Sequence, residues 1–464
     1  MQMGNLPLGL KQLSQAIHGG SMPNTRYLTY LVLAVLLIGC TQKIPYRTER
    51  DTLPDNDGVI REQKTAVIPR PALGPEQECE RGRCINIVEF DEFGNAESRK
   101  QFNNGLLAAK GVAEKDGVVI VYIHGWHHNA KVGDEDISNF HKLLSKVEGK
   151  PAAGIYVAWR GESIDSETIP GFLPSYGLTF WERKNNAHSI GNAGAVAELI
   201  RTLSDIRSHY QYSRLLVIGH SFGGAMLYSA MSDTIAEQIR RDCQRNSSYT
   251  PIADMVVLVN PAFEAMRLRP LYSFARGFEY PAGQKPRLVI LTTQADFPTR
   301  VAFKLGRYMG NVFQSYPSGI YKDQDVTAIG HYIPYITHQL TEQQCTSQAK
   351  GLMFSTSATG VPEESKQKCI ADKYELTRCD ADRDCDVVAP GHFITRGTAG
   401  DHIPHGFPIF NIRTTKDVIP NHTDIWGPPM HTLMNAVLEE VNKDPLETES
   451  EGLIPTDCGV PTGG

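Results

Sequence analysis

The most reactive arrangement in the sequence is a serine between two glycines, at Gly219, Ser221 and Gly223 in the stretch VIGHSFGG. An apolar run at 214–220 precedes the serine, and a helix-like stretch at 222–241 follows it. At such a strand-to-helix turn the serine is strained and its hydroxyl exposed, and the glycines let the helix approach the strand closely. The helix N-terminus favours negative charge that develops there. The pattern predicts that Ser221 is a nucleophile.

A nucleophilic serine requires backbone N–H groups that stabilise the oxyanion formed during attack. One donor is expected from the residue after the serine, Phe222. The second is expected from the loop that follows the apolar run at 117–124, where Gly125 lets the backbone approach a substrate carbonyl and Trp126 supplies the N–H. We therefore predict an oxyanion hole formed by Trp126 and Phe222.

Three histidines surround this loop, at His124, His127 and His128. Zinc sites combine such histidines with cysteine or carboxylate ligands at regular spacing, and no such partner accompanies them here. The sequence therefore predicts neither a metal site nor a cofactor.

Strands that alternate with helices are expected to position these residues. Apolar runs rich in Val, Ile and Leu, without strict polar alternation, are typical of parallel strands buried on both faces. They lie at 85–90, 117–124, 153–159, 214–220, 254–260, 287–293 and 407–414. Apolar residues at three-to-four spacing predict helices at 135–147, 192–210, 222–241 and 430–443. The alternation predicts an α/β fold whose mostly parallel central sheet is flanked by helices.

These motifs resemble those of the α/β-hydrolase superfamily, with HGW at 124–126 as the oxyanion loop and GHSFGG at 219–224 as the nucleophile elbow. YVAWRGES and TFWERKNNAHSIG also look like stretches of bacterial serine esterases and lipase-like proteins. The resemblance covers about residues 115–300 and 405–443. It implies the α/β-hydrolase fold, with catalytic residues in the chain order serine, acid, histidine.

In that order Asp296 in QADFPT is the expected acid, because a short carboxylate after the strand at 287–293 suits a fixed, buried position. Glu264 in NPAFEA, after the preceding strand, is the alternative acid. His422 is the expected base, since it lies between the last strand and the terminal helix. The competing histidines lie in an insertion or before the last strand, at His331, His338, His392, His402 and His405.

This triad implies cleavage of carboxylic esters through an acyl-enzyme, without a cofactor. The expected substrate is a small-molecule or lipid ester, and the aromatic segment at 169–181 either lines an acyl pocket, forms a lid or packs under a loop. An amidase, peptidase or thioesterase with the same triad and a catalytically silent envelope-binding protein remain alternatives. A net charge of -6 offers no basic excess for nucleic-acid binding.

The N-terminal segment indicates export. Arg26 precedes an apolar run at 27–38 that is shorter than the ~20 residues of a spanning helix. A positive flank, a short apolar core and small residues are typical of a secretory signal, for which Met22 offers an alternative start. LIGC resembles the lipobox of bacterial lipoproteins, which implies lipidation of Cys40, and Thr41 after it implies the outer membrane. We expect a lipid-anchored, periplasm-facing protein of the bacterial envelope.

The predicted organisation is a signal peptide at 1–39, a lipidated flexible tether at 40–77, a hydrolase core at 78–299 and 407–445, an insertion or cap at 300–406, and a tail at 446–464. The insertion is rich in Gly, Pro, Tyr and Cys and has no run that fits the sheet. Apart from Cys40, eight cysteines form an even set suited to an oxidising compartment. Cys79 with Cys84 is the one pairing that the spacing favours.

Overall fold

The computed structural model describes residues 45–49, 73–80, 82–147, 149–161, 173–243, 251–278, 280, 285–342, 367–370, 374–378, 406–432 and 434. They build an eleven-stranded sheet with helices packed on both faces. The predicted α/β class, with a mostly parallel sheet flanked by helices, is confirmed.

The strands are β1 (Gln77–Glu80), β2 (Arg83–Glu89), β3 (Val118–Ile123), β4 (Ala152–Ala158), β5 (Arg214–His220), β6 (Met255–Val259), β7 (Leu288–Thr293), β8 (His338–Glu342), β9 (Gln367–Ile370), β10 (Tyr374–Arg378) and β11 (Ile409–Thr414). The helices are α1 (Arg99–Ala113), α2 (Glu135–Ser145), α3 (Leu173–Asn192), α4 (Ala195–Ser208), α5 (Phe222–Cys243), α6 (Ala265–Arg276), α7 (Phe303–Gly310) and α8 (Gly319–Val326). A π-helical turn at Pro298–Ala302 leads into α7, and a further helix begins at 428.

The strand order is β1-β2-β4-β3-β5-β6-β7-β11-β8-β10-β9. Neighbouring strands from β2 to β8 run parallel, and β1, β10 and β9 add antiparallel pairs at the two sides. Because parallel strands end at one edge of a sheet, the loops after β3, β5, β7 and β11 meet there. We call this side of the sheet the carboxyl edge.

Each central strand contributes to a hydrophobic core on both faces of the sheet. In β5, Leu215 and Val217 pack toward the core beneath α1, α4, α5 and α6, whereas Leu216 and Ile218 pack toward the core beneath α2. This two-sided burial explains why the strands appear in the sequence as continuous apolar runs.

The segment expected to be an insertion contributes three strands, β8, β9 and β10, to the sheet. In β8, His338 and Leu340 are buried, and the strand pairs in parallel with β11. The expectation that 300–406 has no run that fits the sheet is therefore wrong. The sequence of β8, HQLTE, has a single aliphatic residue, so it lacks the apolar run by which the central strands were predicted. Cys345, Cys379 and Cys385 of this segment lie outside the described residues.

Part of the predicted tether is packed against the sheet. The N–H groups of Tyr46 and Arg47 donate to the Glu89 carboxylate at 2.7 and 2.9 Å, at the end of β2. The buried Arg47 guanidinium donates to the carbonyl of Ala130, in the loop after β3, and pairs with Glu78 at 2.6 Å. These contacts fix the segment to the carboxyl edge.

The interpretation of 40–77 as a flexible tether is therefore wrong for residues 45–49, where the Arg47 guanidinium donates hydrogen bonds to three backbone carbonyls. The signal-like segment and Cys40 lie outside the described residues. Cys79 and Cys84 face each other across the β1–β2 hairpin as a disulfide pair. None of the described helices is long and apolar enough to cross a membrane.

Arg47→Ala is expected to lower the free energy of unfolding by about 3 kcal/mol, because it leaves Glu78 and several carbonyls without their donor. Arg99→Ala is the control, since Arg99 pairs with Glu198 on the surface and should contribute ~1 kcal/mol or less. Urea unfolding measures both. An equal loss of unfolding free energy in the two variants would mean that residues 45–49 are not part of the folded unit.

Candidate active site

Ser221 lies between β5 and α5 in a left-handed backbone conformation, with φ of 53°. Residues other than glycine rarely adopt this region, and such strain persists only where surrounding contacts enforce it. The Ser221 N–H donates to the carbonyl of Val259 at 3.0 Å, and its own carbonyl accepts the N–H of Ala262 at 3.1 Å. The neighbouring strand β6 and its following loop thus hold the turn in place.

Glycines allow three backbone segments to meet at this turn. A Cβ on Gly223 would collide with the carbonyl oxygen of Ile123, and one on Gly219 would lie 2.7 Å from the carbonyl oxygen of Gly223. A Cβ on Gly125 would lie 3.0 Å from the Ser221 Cβ. The loop after β3 therefore lies directly against the serine.

Ser221, His422 and Asp296 form a continuous chain of hydrogen bonds. The Ser221 Oγ lies 2.7 Å from His422 Nε2, and His422 Nδ1 lies 2.9 Å from Asp296 Oδ2. A carboxylate can only accept, so Nδ1 carries a proton, and Nε2 of the neutral ring accepts the serine hydroxyl. The structure thus brings together the three residues that were singled out as nucleophile, base and acid.

Asp296 follows β7 and its side chain is fully buried. Its second oxygen, Oδ1, accepts the N–H of Thr299 at 3.0 Å. Burial raises the pKa of Asp296, but the charge and hydrogen bond of His422, the nearby His331 and the Thr299 bond together lower it to about 2. The carboxylate is therefore ionised at neutral pH and can fix the orientation and tautomer of His422.

Glu264, the alternative acid, has different partners. Its buried carboxylate bonds to Lys184 at 2.5 Å and to Arg267 at 2.9 Å, and Arg307 lies 3.2 Å away. Burial raises its pKa, but Lys184 and then Arg307 lower it to about 2. Glu264 therefore joins α3, α6 and α7 through ion pairs, whereas His422 bonds to Asp296.

Two residues that the sequence analysis did not single out hold the His422 loop. His220 Nε2 donates to the carbonyl of His422 at 2.9 Å, and Asn260 Nδ2 donates to the same oxygen at 3.0 Å. Burial lowers the pKa of His220 to about 3, so its ring is neutral and can act as this donor. In the sequence, only their positions pointed to these two residues. His220 lies beside the serine, and Asn260 ends the run VVLVN.

Asn260 also connects this loop to β7, the strand that leads to Asp296. Its Oδ1 accepts the N–H of Thr293 at 3.1 Å, three residues before Asp296. The side chain is fully buried, and its backbone φ of 45° suits asparagine better than most residues. One amide thus bonds to both the His422 loop and the strand that leads to Asp296.

The two predicted oxyanion donors lie beside the serine. Phe222 is the first residue of α5, and the first N–H groups of a helix have no acceptor within the helix. Trp126 lies in the loop after β3, with its ring 6.0 Å from that of Phe222 and 5.3 Å from that of Phe180. Aromatic packing between α3, α5 and this loop therefore positions the two backbone segments.

The histidines of this loop have structural partners. His124 Nε2 accepts the N–H of Trp159 at 3.1 Å, and burial lowers the pKa of His124 to about 4. His128 Nδ1 lies 3.0 Å from Asp134; burial lowers the pKa of His128, but Asp134 and Asp136 raise it to about 9. Over the described ranges, no group of three or more His, Cys, Asp or Glu could hold a metal ion.

Comparisons with known proteins identify no family for this chain. No family model matches the chain, and no curated protein matches it. Among solved structures, the chain is similar to the arginase from Medicago truncatula, with 9% identity over 43% of this chain and 77% of that chain. The TM-score of 0.19 is too low for this likeness to support an argument about fold or activity.

The His128–Asp134 pair predicts a pH-dependent contribution to stability. Because the folded pKa of His128, about 9, exceeds the ordinary value of 6.5, the stabilisation is complete below pH 6.5 and is lost as the pH rises through 9. The difference in unfolding free energy between the parent and His128→Asn should shrink over this range. His209→Asn, at an exposed position, is the control. A difference that stays constant with pH would refute the charged pair.

Proposed function

We propose that this chain is a serine hydrolase of the α/β-hydrolase superfamily that cleaves carboxylic esters. The observation that carries the proposal is the unbroken hydrogen-bond chain from Ser221 Oγ through His422 to Asp296, at 2.7 and 2.9 Å. The left-handed φ of Ser221 between β5 and α5 supports a nucleophile elbow. The chain order of serine, acid and histidine also agrees with this superfamily.

In the first half-reaction, Ser221 Oγ attacks the ester carbonyl while His422 Nε2 takes the hydroxyl proton. Asp296 stays ionised, holds the ring through Nδ1 and stabilises the imidazolium that forms. The N–H groups of Trp126 and Phe222 would stabilise the oxyanion. The tetrahedral intermediate collapses as His422 returns the proton to the leaving alcohol.

In the second half-reaction, His422 removes a proton from water, which attacks the acyl-enzyme. The oxyanion forms again at the same N–H groups, and the acid is released as Ser221 recovers its proton. The proposal needs no cofactor. It includes attachment of the protein to the bacterial envelope through Cys40, as the lipobox-like sequence suggests.

The same triad can act on thioesters and amides, so the leaving group requires its own experiment. A panel of acyl esters, thioesters and amides with one acyl group in common should show the highest kcat/KM for the esters. Higher values for amides or thioesters would move the assignment to those hydrolases. If the folded protein turns over none of the esters, thioesters or amides, the result would favour a catalytically inactive protein that binds a partner.

Asp296→Asn should lower kcat for an activated ester by about 10⁴-fold, because the amide favours the wrong tautomer of His422. Glu264→Gln, which changes a buried carboxylate outside the triad, should retain turnover in the fraction that folds, as judged by circular dichroism. Near-normal kcat in Asp296→Asn together with lost kcat in folded Glu264→Gln would reverse the assignment of the acid.

Asn260→Asp should lower kcat by about 10- to 100-fold with little change in KM, because the carboxylate cannot donate to the His422 carbonyl. Asn411→Asp is a matched control, since Asn411 is equally buried and its amide donates to the carbonyl of Ile329 instead. Steady-state kinetics of both variants measures the effect. Equal losses in the two variants would show that Asn260 has only a general structural role.

A further inference from the structure

An unusual amount of apolar surface is exposed next to the candidate site. Of the fifteen exposed large apolar side chains in the described residues, ten lie between residues 297 and 333. We call these ten the apolar strip: Phe297, Val301, Leu305, Tyr308, Met309, Val312, Phe313, Ile320, Tyr321 and Ile333. Contiguous exposed apolar surface in a folded protein marks an interaction site.

The strip follows the outer face of the helical segment after β7. In α7, Phe303 is buried, and the backbone at Gly306 packs against the Trp181 ring. On the opposite face, Leu305 is 60% and Met309 67% exposed, and Phe313 just beyond the helix is 100% exposed. A helix of a soluble domain directs its apolar residues inward, so this outer face needs an apolar environment.

The position of the strip indicates which environment this is. It begins at Phe297, one residue after Asp296, and therefore starts from the carboxyl edge. Residues 45–49 are fixed to the same edge, and Cys40 lies five residues upstream of 45, within ~17 Å of extended chain. If the apolar run at 27–38 or a lipid on Cys40 enters a bilayer, the carboxyl edge stays close to it.

The charge of the strip fits an anionic lipid surface. Residues 297–333 contain four basic and two acidic side chains, whereas the whole chain has a net charge of -6. The two acidic ones pair with Lys304 and Arg307, so the basic excess consists of Arg300 and Lys322. Lys322 lies 5.4 Å from the centre of the Tyr308 ring, and Arg269 lies 4.1 Å from that of Tyr321. Basic side chains and tyrosines beside an apolar surface suit the headgroup region of a membrane.

We infer that the apolar strip inserts into the surface of a lipid bilayer, so that the carboxyl edge of the sheet faces the membrane. The bilayer is the one to which the segment before residue 45 attaches the chain. This inference does not depend on the proposed hydrolysis, but it rests on the proposed attachment of the chain to a membrane through the segment before residue 45.

The test compares two exposed aromatic positions in the full chain with Ser221→Ala, so that hydrolysis cannot alter the lipids. Phe313→Trp puts a probe on the strip, and Tyr212→Trp puts a control probe at a 45% exposed position just before β5, at the opposite edge of the sheet. Each variant is reconstituted into vesicles of phosphatidylethanolamine and phosphatidylglycerol with brominated acyl chains, which quench tryptophan on contact. We expect the emission added by the probe to be lost at position 313 and retained at position 212.

Equal emission at the two positions, or failure of the chain to associate with the vesicles, would overturn the inference. If a second copy covers the strip, the probe at 313 escapes quenching, and Phe313→Ser converts dimers in detergent to monomers. If another segment of the chain covers it, the probe at 313 is blue-shifted without lipid and unchanged by it. Both results would contradict insertion. The Ser221→Ala background keeps this test separate from that of the hydrolase.

Discussion

The hydrogen bond between Ser221 Oγ and His422 Nε2, 2.7 Å long, joins residues 201 positions apart in the chain. It can form only because a parallel sheet gathers the ends of its strands at one edge. β5 carries the serine, β7 leads to Asp296, and β11 leads to the His422 loop. The two cores on either side of the sheet stabilise this arrangement, so the packing of the whole domain determines the geometry of three side chains.

That geometry includes a backbone conformation and a buried charge that would each be unfavourable without the surrounding contacts. Ser221 has a left-handed φ of 53°, and Asp296 is an ionised carboxylate without solvent exposure. Backbone hydrogen bonds from β6 and the loop after it hold the serine, and the bonds to His422 and Thr299 compensate the burial of the acid. His220 and Asn260 then fix the carbonyl of His422 by hydrogen bonds.

The sequence revealed the features that depend on local pattern. Continuous apolar runs located the central strands, and the glycines around Ser221 located the turn, because both reflect packing on adjacent residues. The sequence did not reveal β8, with its single aliphatic residue, or the anchoring of Arg47, because each depends on partners distant in the chain. The support of His422 by Asn260 was missed for the same reason, since 162 positions separate the two.

Covalent labelling with a fluorophosphonate tests the central claim most directly. A nucleophilic serine with a working base forms a phosphonyl adduct that adds a fixed mass to the intact protein. The account predicts one adduct, mapped to Ser221, that is absent in Ser221→Ala and in His422→Ala. A folded protein that forms no adduct, or forms it on another residue, would contradict the assignment of Ser221 as the nucleophile.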